Sequence, residues 1–391
     1  YRTIKGGNLQ KMKLFGKIKW QKLKLDLELS IVLIALMAIG SSFVFSASSI
    51  MAREKYHNMM YFFDRQVVYL VLGTIAMLII SKIRYQSLRG YILLLNIVTI
   101  LLNLMIVFGI SSVSVNGAAR WISIFGITFQ PSELAKITLI VTLASMIDKR
   151  RRMGVLNDIF QGILPIAAYC AMIIGIVFMQ KHMSASGVLI FSAACMLIVS
   201  GLKKQYIAIA GGAIGVFALL AVLMFPFRMK RMFSFLDPYK DALGSGFHII
   251  QSWRALAGGG LDGLGLGMSR QKFSWLPESH TDFILAIIGE EWGFIGILII
   301  FGLFVWFLLR GIVISLEAPD CFGMIVGTGI VSMFFFQVAI NVSVVTGMFP
   351  VTGMPLPFVS YGGTSSIMLL GTVGVLLNIA SQNKEKNRNI E

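Results

Sequence analysis

The sequence is short of charge, of acid above all, and of the residues that build metal sites and crosslinks. Only 13% of its 391 residues are charged and only 18 are acidic, against 57% that are hydrophobic. That leaves too little polar surface to cover a water-soluble domain of this size. The four histidines, His57, His182, His248 and His280, are scattered without metal-ligand spacing. Cys170, Cys195 and Cys321 are odd in number and lack paired spacing, which excludes a disulfide framework and a zinc cluster and leaves them as small packing residues.

What the chain has instead is long apolar runs, each near the roughly 20 residues a helix needs to cross about 30 Å of hydrocarbon. Ten spans are expected, at residues 29–50, 60–81, 89–110, 131–147, 157–179, 185–201, 206–225, 282–309, 321–344 and 357–380. Barrel strands would alternate in polarity, whereas Ile92 to Val107 is apolar on every side. The expected fold is an all-α polytopic membrane protein of about ten transmembrane helices. The first apolar run is long enough to stay as an anchor, so no cleaved signal peptide is expected.

The net charge of +16 invites a nucleic-acid reading, but its distribution argues for topology. Basic clusters at Lys11–Lys24, Lys82–Arg89, Lys149–Arg152, Lys203–Lys204, Arg310 and Lys384–Arg388 all fall on one side if both termini are cytoplasmic. The expected organisation is a cytoplasmic basic segment at 1–28, a ten-helix membrane domain at 29–380 and a cytoplasmic tail at 381–391. A large extracellular loop at 226–281 joins helices 7 and 8. It mixes aromatics, glycines and hydrophobics, so it reads as functional, with Phe247 to Leu256 able to form a short helix. With the loops Ser111–Gln130 and Gly347–Pro357 it makes three outer connections that can converge on one site.

Four groups of residues can carry chemistry there. Asp282 enters the eighth span as a partly desolvated carboxylate, which suits a general base; the alternative is a helix N-terminal carboxylate with Thr281 as the cap. Glu290, two turns deeper on a continuous helix, either lines the same cavity or makes a structural ion pair, and Glu291 points elsewhere. Glu133 and Lys136 open the fourth span three residues apart and either pair with each other or offer Lys136 to a phosphate. Arg228, Lys230 and Arg231 are basic where the positive-inside rule expects few such residues, which suits either a diphosphate or lipid headgroups. Gly263-Leu264-Gly265-Leu266-Gly267 has no flanking strand and reads as a flexible turn. Asn341-Val342-Ser343 is a sequon inside an apolar span and is set aside.

Several blocks, in order, resemble the shape, elongation, division and sporulation (SEDS) family, which includes FtsW, RodA and SpoVE. They are Asn116-Gly117-Ala118-Ala119-Arg120-Trp121, Gln130 to Lys136, Phe235 to Pro238, Gly267 to Lys272, Leu276 to Gly293 and Gly347 to Gly363. The Ser269-Arg270-Gln271-Lys272-Phe273 and Leu276-Pro277-Glu278-Ser279-His280 runs place it nearer the FtsW and SpoVE branch. The resemblance implies a peptidoglycan glycosyltransferase that polymerises lipid II at the outer face of the bacterial cytoplasmic membrane and releases undecaprenyl diphosphate. It implies Asp282 as the catalytic residue. Trp121, Glu133, Lys136, Arg228, Arg231, Lys272, His280, Glu290 and Ser360 are then expected at the substrate.

Implied partners are lipid II, the growing glycan strand and a class B penicillin-binding protein transpeptidase within a division or elongation complex. No cofactor is implied beyond an assisting divalent cation, magnesium or manganese. One departure is Gln180-Lys181-His182-Met183-Ser184-Ala185, where the family commonly carries an acid. A lipid II flippase is the competing reading, and a non-catalytic scaffold a third.

Overall fold

The computed structural model describes residues 20–388 apart from 22–24, 111, 116–117, 125–126, 181, 224–228, 230–231, 233, 245 and 274. Ten helices follow the ten expected spans. They are α1 (Leu27–Tyr56), α2 (Tyr61–Ser81), α3 (Ile92–Val107), α4 (Pro131–Arg152), α5 (Leu164–Met179), α6 (Met183–Val199), α7 (Lys204–Leu223), α9 (Ile284–Leu316), α10 (Cys321–Val345) and α11 (Thr364–Arg388). An eleventh, α8 (Phe247–Gly259), lies in the long connection where a short helix was expected. Among the described residues, seven helices are long and apolar enough to cross a bilayer, and α6 is apolar but shorter. The chain is therefore a multi-pass helical membrane protein.

The helices divide by what they face. Helices α10 and α11 are mostly enclosed, whereas α2 and α3 leave most of their apolar surface outward, as helices wetted by lipid do. Close approach at the centre depends on small residues. A Cβ on Gly40 of α1 would stand 2.5 Å from Val359 Cα and 2.7 Å from Phe358 O. Those are backbone atoms that cannot yield, so Gly40→Ala is expected to lower stability by about 1–3 kcal/mol. The check is thermal unfolding of the purified protein.

Several boundaries differ from expectation, two of them beside the site. The eighth span begins at Ile284 and runs to Leu316, and the tenth begins at Thr364 because Gly353 to Gly363 is a buried, non-helical segment with Phe358 at φ 64°. The connection between α3 and α4 is not irregular but a three-stranded antiparallel sheet of β1 (Ser112–Val115), β2 (Ala118–Ile124) and β3 (Ile127–Phe129).

Helix α9 is broken at Gly293, where φ 64° and ψ −164° leave the helical region. The main-chain groups freed by the break would be costly at membrane depth. The connection after α8 satisfies them: Leu264 N donates to Glu290 O and Gly265 N to Glu291 O, both at 3.0 Å. In return Phe294 N donates to Gly260 O at 3.0 Å and Ile295 N to Leu261 O at 3.2 Å. Gly263 lies against Glu291 O and Gly293 N, closer than any Cβ would allow, and has φ 81°. The glycine run expected to be a flexible turn is a hydrogen-bonded insert: Gly263 has no room for a Cβ, and Gly265 and Gly267 take φ of +99° and +81°, which glycine adopts without strain.

Candidate functional site

The long connection reaches α9 through a tight turn. Thr281 N and Phe283 N both donate to Glu278 O at 3.2 Å, and Thr281 Oγ1 donates to Glu278 Oε2 at 2.7 Å. Thr281 therefore does not cap the helix, whose N-cap is Phe283 with no side-chain bond. Asp282 lies just before the helix, and the capping role for this pair is absent. Burial and then the neighbouring Glu278 carboxylate push the Asp282 pKa up, against the lowering effect of Arg120, to about 7.

The segment before α11 closes on this carboxyl. Asn341 of α10 donates through Nδ2 to Asp282 O at 2.8 Å and to Met354 O at 2.7 Å. A Cβ on Gly353, whose φ is +67°, would stand 3.3 Å from Asp282 Oδ2. The carboxyl and the glycine loop thus share one clamp, and glycine leaves the space beside the carboxyl open.

A second wall comes from β2, α4 and α6. His182 precedes α6 and is buried, its Nδ1 standing 3.1 Å from Ser132 Oγ and 3.4 Å from Gln130 Nε2 at the start of α4. Burial, and then Arg120 and Lys136, depress its pKa to about 3, so the imidazole is neutral. Lys136 Nζ meets Glu133 Oε1 at 2.8 Å with both side chains largely enclosed. Ser184 Oγ of α6 donates to Thr352 O at 2.8 Å, joining this wall to the loop at Gly353. Arg120 acts electrostatically on both Asp282 and His182, so its charge reaches both walls. The arrangement combines a titratable carboxyl with cationic groups, as expected for binding an anionic substrate and accepting a proton.

The remaining expected site residues are spread over several elements. Trp121 follows Arg120 on β2, in register with Val113 of β1. His280 is buried with its ring 4.5 Å from Phe62 and 5.8 Å from Tyr361, and burial lowers its pKa to about 4. Ser360 is enclosed, its hydroxyl accepting from Leu356 N at 2.8 Å. Lys272 is buried, with Nζ donating to Gly267 O and lying 3.6 Å from Glu291 Oε1.

Glu290 accepts from Ser269 Oγ and from the main-chain N–H groups of Arg270 at 3.0 Å and Gln271 at 3.3 Å. Glu291 accepts from Ser46 Oγ at 2.6 Å, Gly267 N at 2.9 Å and Ser269 N at 3.3 Å. Glu290 is therefore occupied in holding the connection rather than lining a cavity with Asp282, and Glu291, expected to point elsewhere, does the same. Arg228, Lys230 and Arg231 lie outside the described residues.

Three residues that sequence reasoning passed over are central: Arg120, His182 and Asn341. Arg120 lies in the Asn116–Trp121 block without a sequence signal of its own, His182 in the Gln180–Ala185 departure, and Asn341 in a sequon inside an apolar span. The signal for Asn341 was available, because an amide inside an apolar span needs partners there. As for metal, among the described residues no three of His, Cys, Asp or Glu converge as a protein-held ion would require. With Arg120 already acting as a cation on Asp282, these residues do not fit a resident divalent ion.

The chain is similar to known proteins over nearly its whole length. The family model for the cell cycle proteins FtsW, RodA and SpoVE matches residues 27–385. Stage V sporulation protein E of Bacillus subtilis is 40% identical over 361 residues, covering 91% of this chain and 96% of its own. A Geobacter metallireducens protein named "Probable peptidoglycan glycosyltransferase FtsW" is 38% identical over 359 residues, covering 92% and 95%. Among solved structures, a chain of a peptidoglycan synthase complex that coordinates polymerization and crosslinking superposes with a TM-score of 0.76 at 28% identity, covering 93% of this chain and 99% of that one. The rod shape determining protein RodA of Thermus thermophilus does so at 0.67 and 27%, covering 92% and 97%. Matched across nearly its whole length in both sequence and fold, this chain belongs to the FtsW/RodA/SpoVE family of cell cycle proteins, the SEDS family.

Proposed function

We propose that the chain is a peptidoglycan glycosyltransferase that polymerises lipid II into glycan strands at the outer face of the bacterial cytoplasmic membrane. The observation that carries this reading is the Asp282 carboxyl, titrating near neutrality in a site shared with Arg120. A general base works best with a pKa near the working pH. Asp282 takes the proton of the acceptor sugar hydroxyl while that oxygen bonds to the anomeric carbon of the growing chain. The bond from that carbon to the diphosphate breaks, and undecaprenyl diphosphate leaves. Arg120 and Lys136, with Arg228 and Arg231 of the long connection, supply the positive charge that holds the diphosphate. A magnesium or manganese ion fits this site only as a companion of the diphosphate.

The basic clusters support cytoplasmic termini, with residues 1–28 and 381–391 inside, the domain at 29–380 in the membrane and the connection at 226–281 outside. A class B penicillin-binding protein transpeptidase is the partner that would crosslink the strand. Purified protein, with and without such a partner, is expected to convert lipid II to glycan strands. The rate should rise with pH through about 7, because the base acts only when deprotonated. A rate that falls as pH rises through that range would remove Asp282 as the base, and no product under any condition would sink the polymerase reading.

A further inference from the structure

Asn341 is enclosed in α10, and its side chain is divided in use. Nδ2 holds the main-chain oxygens of Asp282 at 2.8 Å and Met354 at 2.7 Å, while Oδ1 is buried without a hydrogen-bond partner. Those two carbonyls belong to different segments, the turn that presents Asp282 and the glycine loop beside it. Asp282 Oδ2 would stand 3.3 Å from a Cβ at Gly353, the residue preceding Met354. The site's opening is thus set by how far apart Asp282 and Met354 are held, and a single planar amide spans both. An amide group suits that task, because its two N–H bonds leave one nitrogen at a fixed angle and can serve two acceptors at once.

We propose that Asn341 is a positioning residue for the transfer reaction, fixing the Asp282 turn against the Gly353–Met354 loop so that the base and the loop beside it move as one unit. The inference rests on the polymerase reading above and adds to it a residue that touches neither sugar nor diphosphate. The charged groups acting on Asp282 are Glu278 in its own turn and Arg120 from β2. His280 lies two residues back, and the His248 ring of α8 lies 5.8 Å from the Phe283 ring, tilted by 36°. A shift of the Asp282 turn relative to Arg120 changes the balance of these charges on the carboxyl. Loss of the clamp is therefore read in the pH profile as well as in the rate.

The test is lipid II polymerisation by the parent, Asn341→Leu and Asn341→Ser across pH 5.5–9, a range of about two units around the base's pKa, with thermal unfolding of each. Asn341→Leu removes both donors while keeping the same number of side-chain heavy atoms and the branch at Cγ. Its kcat is expected to fall about 100-fold, the effect of roughly 1 Å of misplacement, with KM within about threefold of the parent and a displaced pH midpoint. Asn341→Ser keeps one donor and should fall between the two. Should Asn341→Leu fail to fold, Asn341→Ser carries the same test of kcat and midpoint. A variant that polymerises with the parent's kcat and midpoint overturns the role. So does one whose rate loss is matched by loss of folded protein while the folded fraction keeps the parent's profile. If the parent itself makes no strands, the polymerase reading fails instead, and the two failures are told apart by that control.

Discussion

Asp282→Asn is expected to lower lipid II polymerisation by about 10³-fold while leaving the protein folded. The amide has nearly the volume of the acid and keeps the main-chain oxygen that Asn341 holds, so the turn is preserved. What is lost is the lone pair that accepts the acceptor hydroxyl's proton. The same substitution has a sign on stability that a mere structural carboxylate would not give. The folded-state pKa lies above the unfolded value, so folding favours the protonated acid, and ionisation removes stability as pH rises from the unfolded pKa through about 7. Asp282→Asn, which cannot ionise, should therefore unfold at a higher temperature than the parent above pH 7 and at a similar one below about pH 4. Activity lost together with alkaline stability gained marks a group kept near neutrality for function. Equal polymerisation by variant and parent would remove Asp282 from the chemistry. Lipid II translocation without strand formation, insensitive to Asp282→Asn, would favour the flippase.

The helices were legible because a bilayer makes a demand that composition answers directly, about 20 apolar residues per crossing. Where that demand lapses, the reading slipped. Pro357 to Tyr361 is apolar enough to pass for the start of a span, yet it is a buried turn whose polar groups are satisfied by Ser360 and Gln66, and hydropathy cannot distinguish the two. The small sheet was missed although its signal was present. Short alternating segments are separated by Asn116-Gly117 and Phe125-Gly126, a spacing that favours hairpins.

Within the site, Asp282 and the Glu133–Lys136 pair were readable from their places at helix starts. The fate of Glu290 and Glu291 was not, because their partners come from a stretch outside the helix that carries them. The break at Gly293 brings the distant Gly260–Lys272 stretch against both of them. Contacts between segments twenty residues apart in sequence have no local signature. The importance of His182 was hidden for a related reason: its neutrality follows from burial between Arg120 and Lys136, which only the fold brings together.

Those two glutamates carry the other large expected effect. Glu291 is fully enclosed, and removing its carboxylate strands three donors, Ser46 Oγ and the N–H groups of Gly267 and Ser269. It also leaves the buried Lys272 ammonium without its anion. An unpaired buried charge costs about 3–5 kcal/mol, a large share of the 5–15 kcal/mol that holds a typical domain folded, so Glu291→Ala should be severely destabilised. Lys272→Met placed on top of it removes the stranded ammonium and should restore part of the loss, a positive coupling that a double-mutant cycle by thermal unfolding would measure. Glu290→Gln is milder. One amide oxygen still accepts, but the amide nitrogen now faces N–H donors, at a cost of about 1–3 kcal/mol. Protease nicking between Gly260 and Lys272 should rise in both variants, because these carboxylates bind that stretch to the broken helix. Unchanged unfolding and nicking in Glu291→Ala would mean that the insert is held by the four main-chain bonds across the Gly293 break alone. The carboxylates would then be free for the substrate role that the sequence first suggested for Glu290.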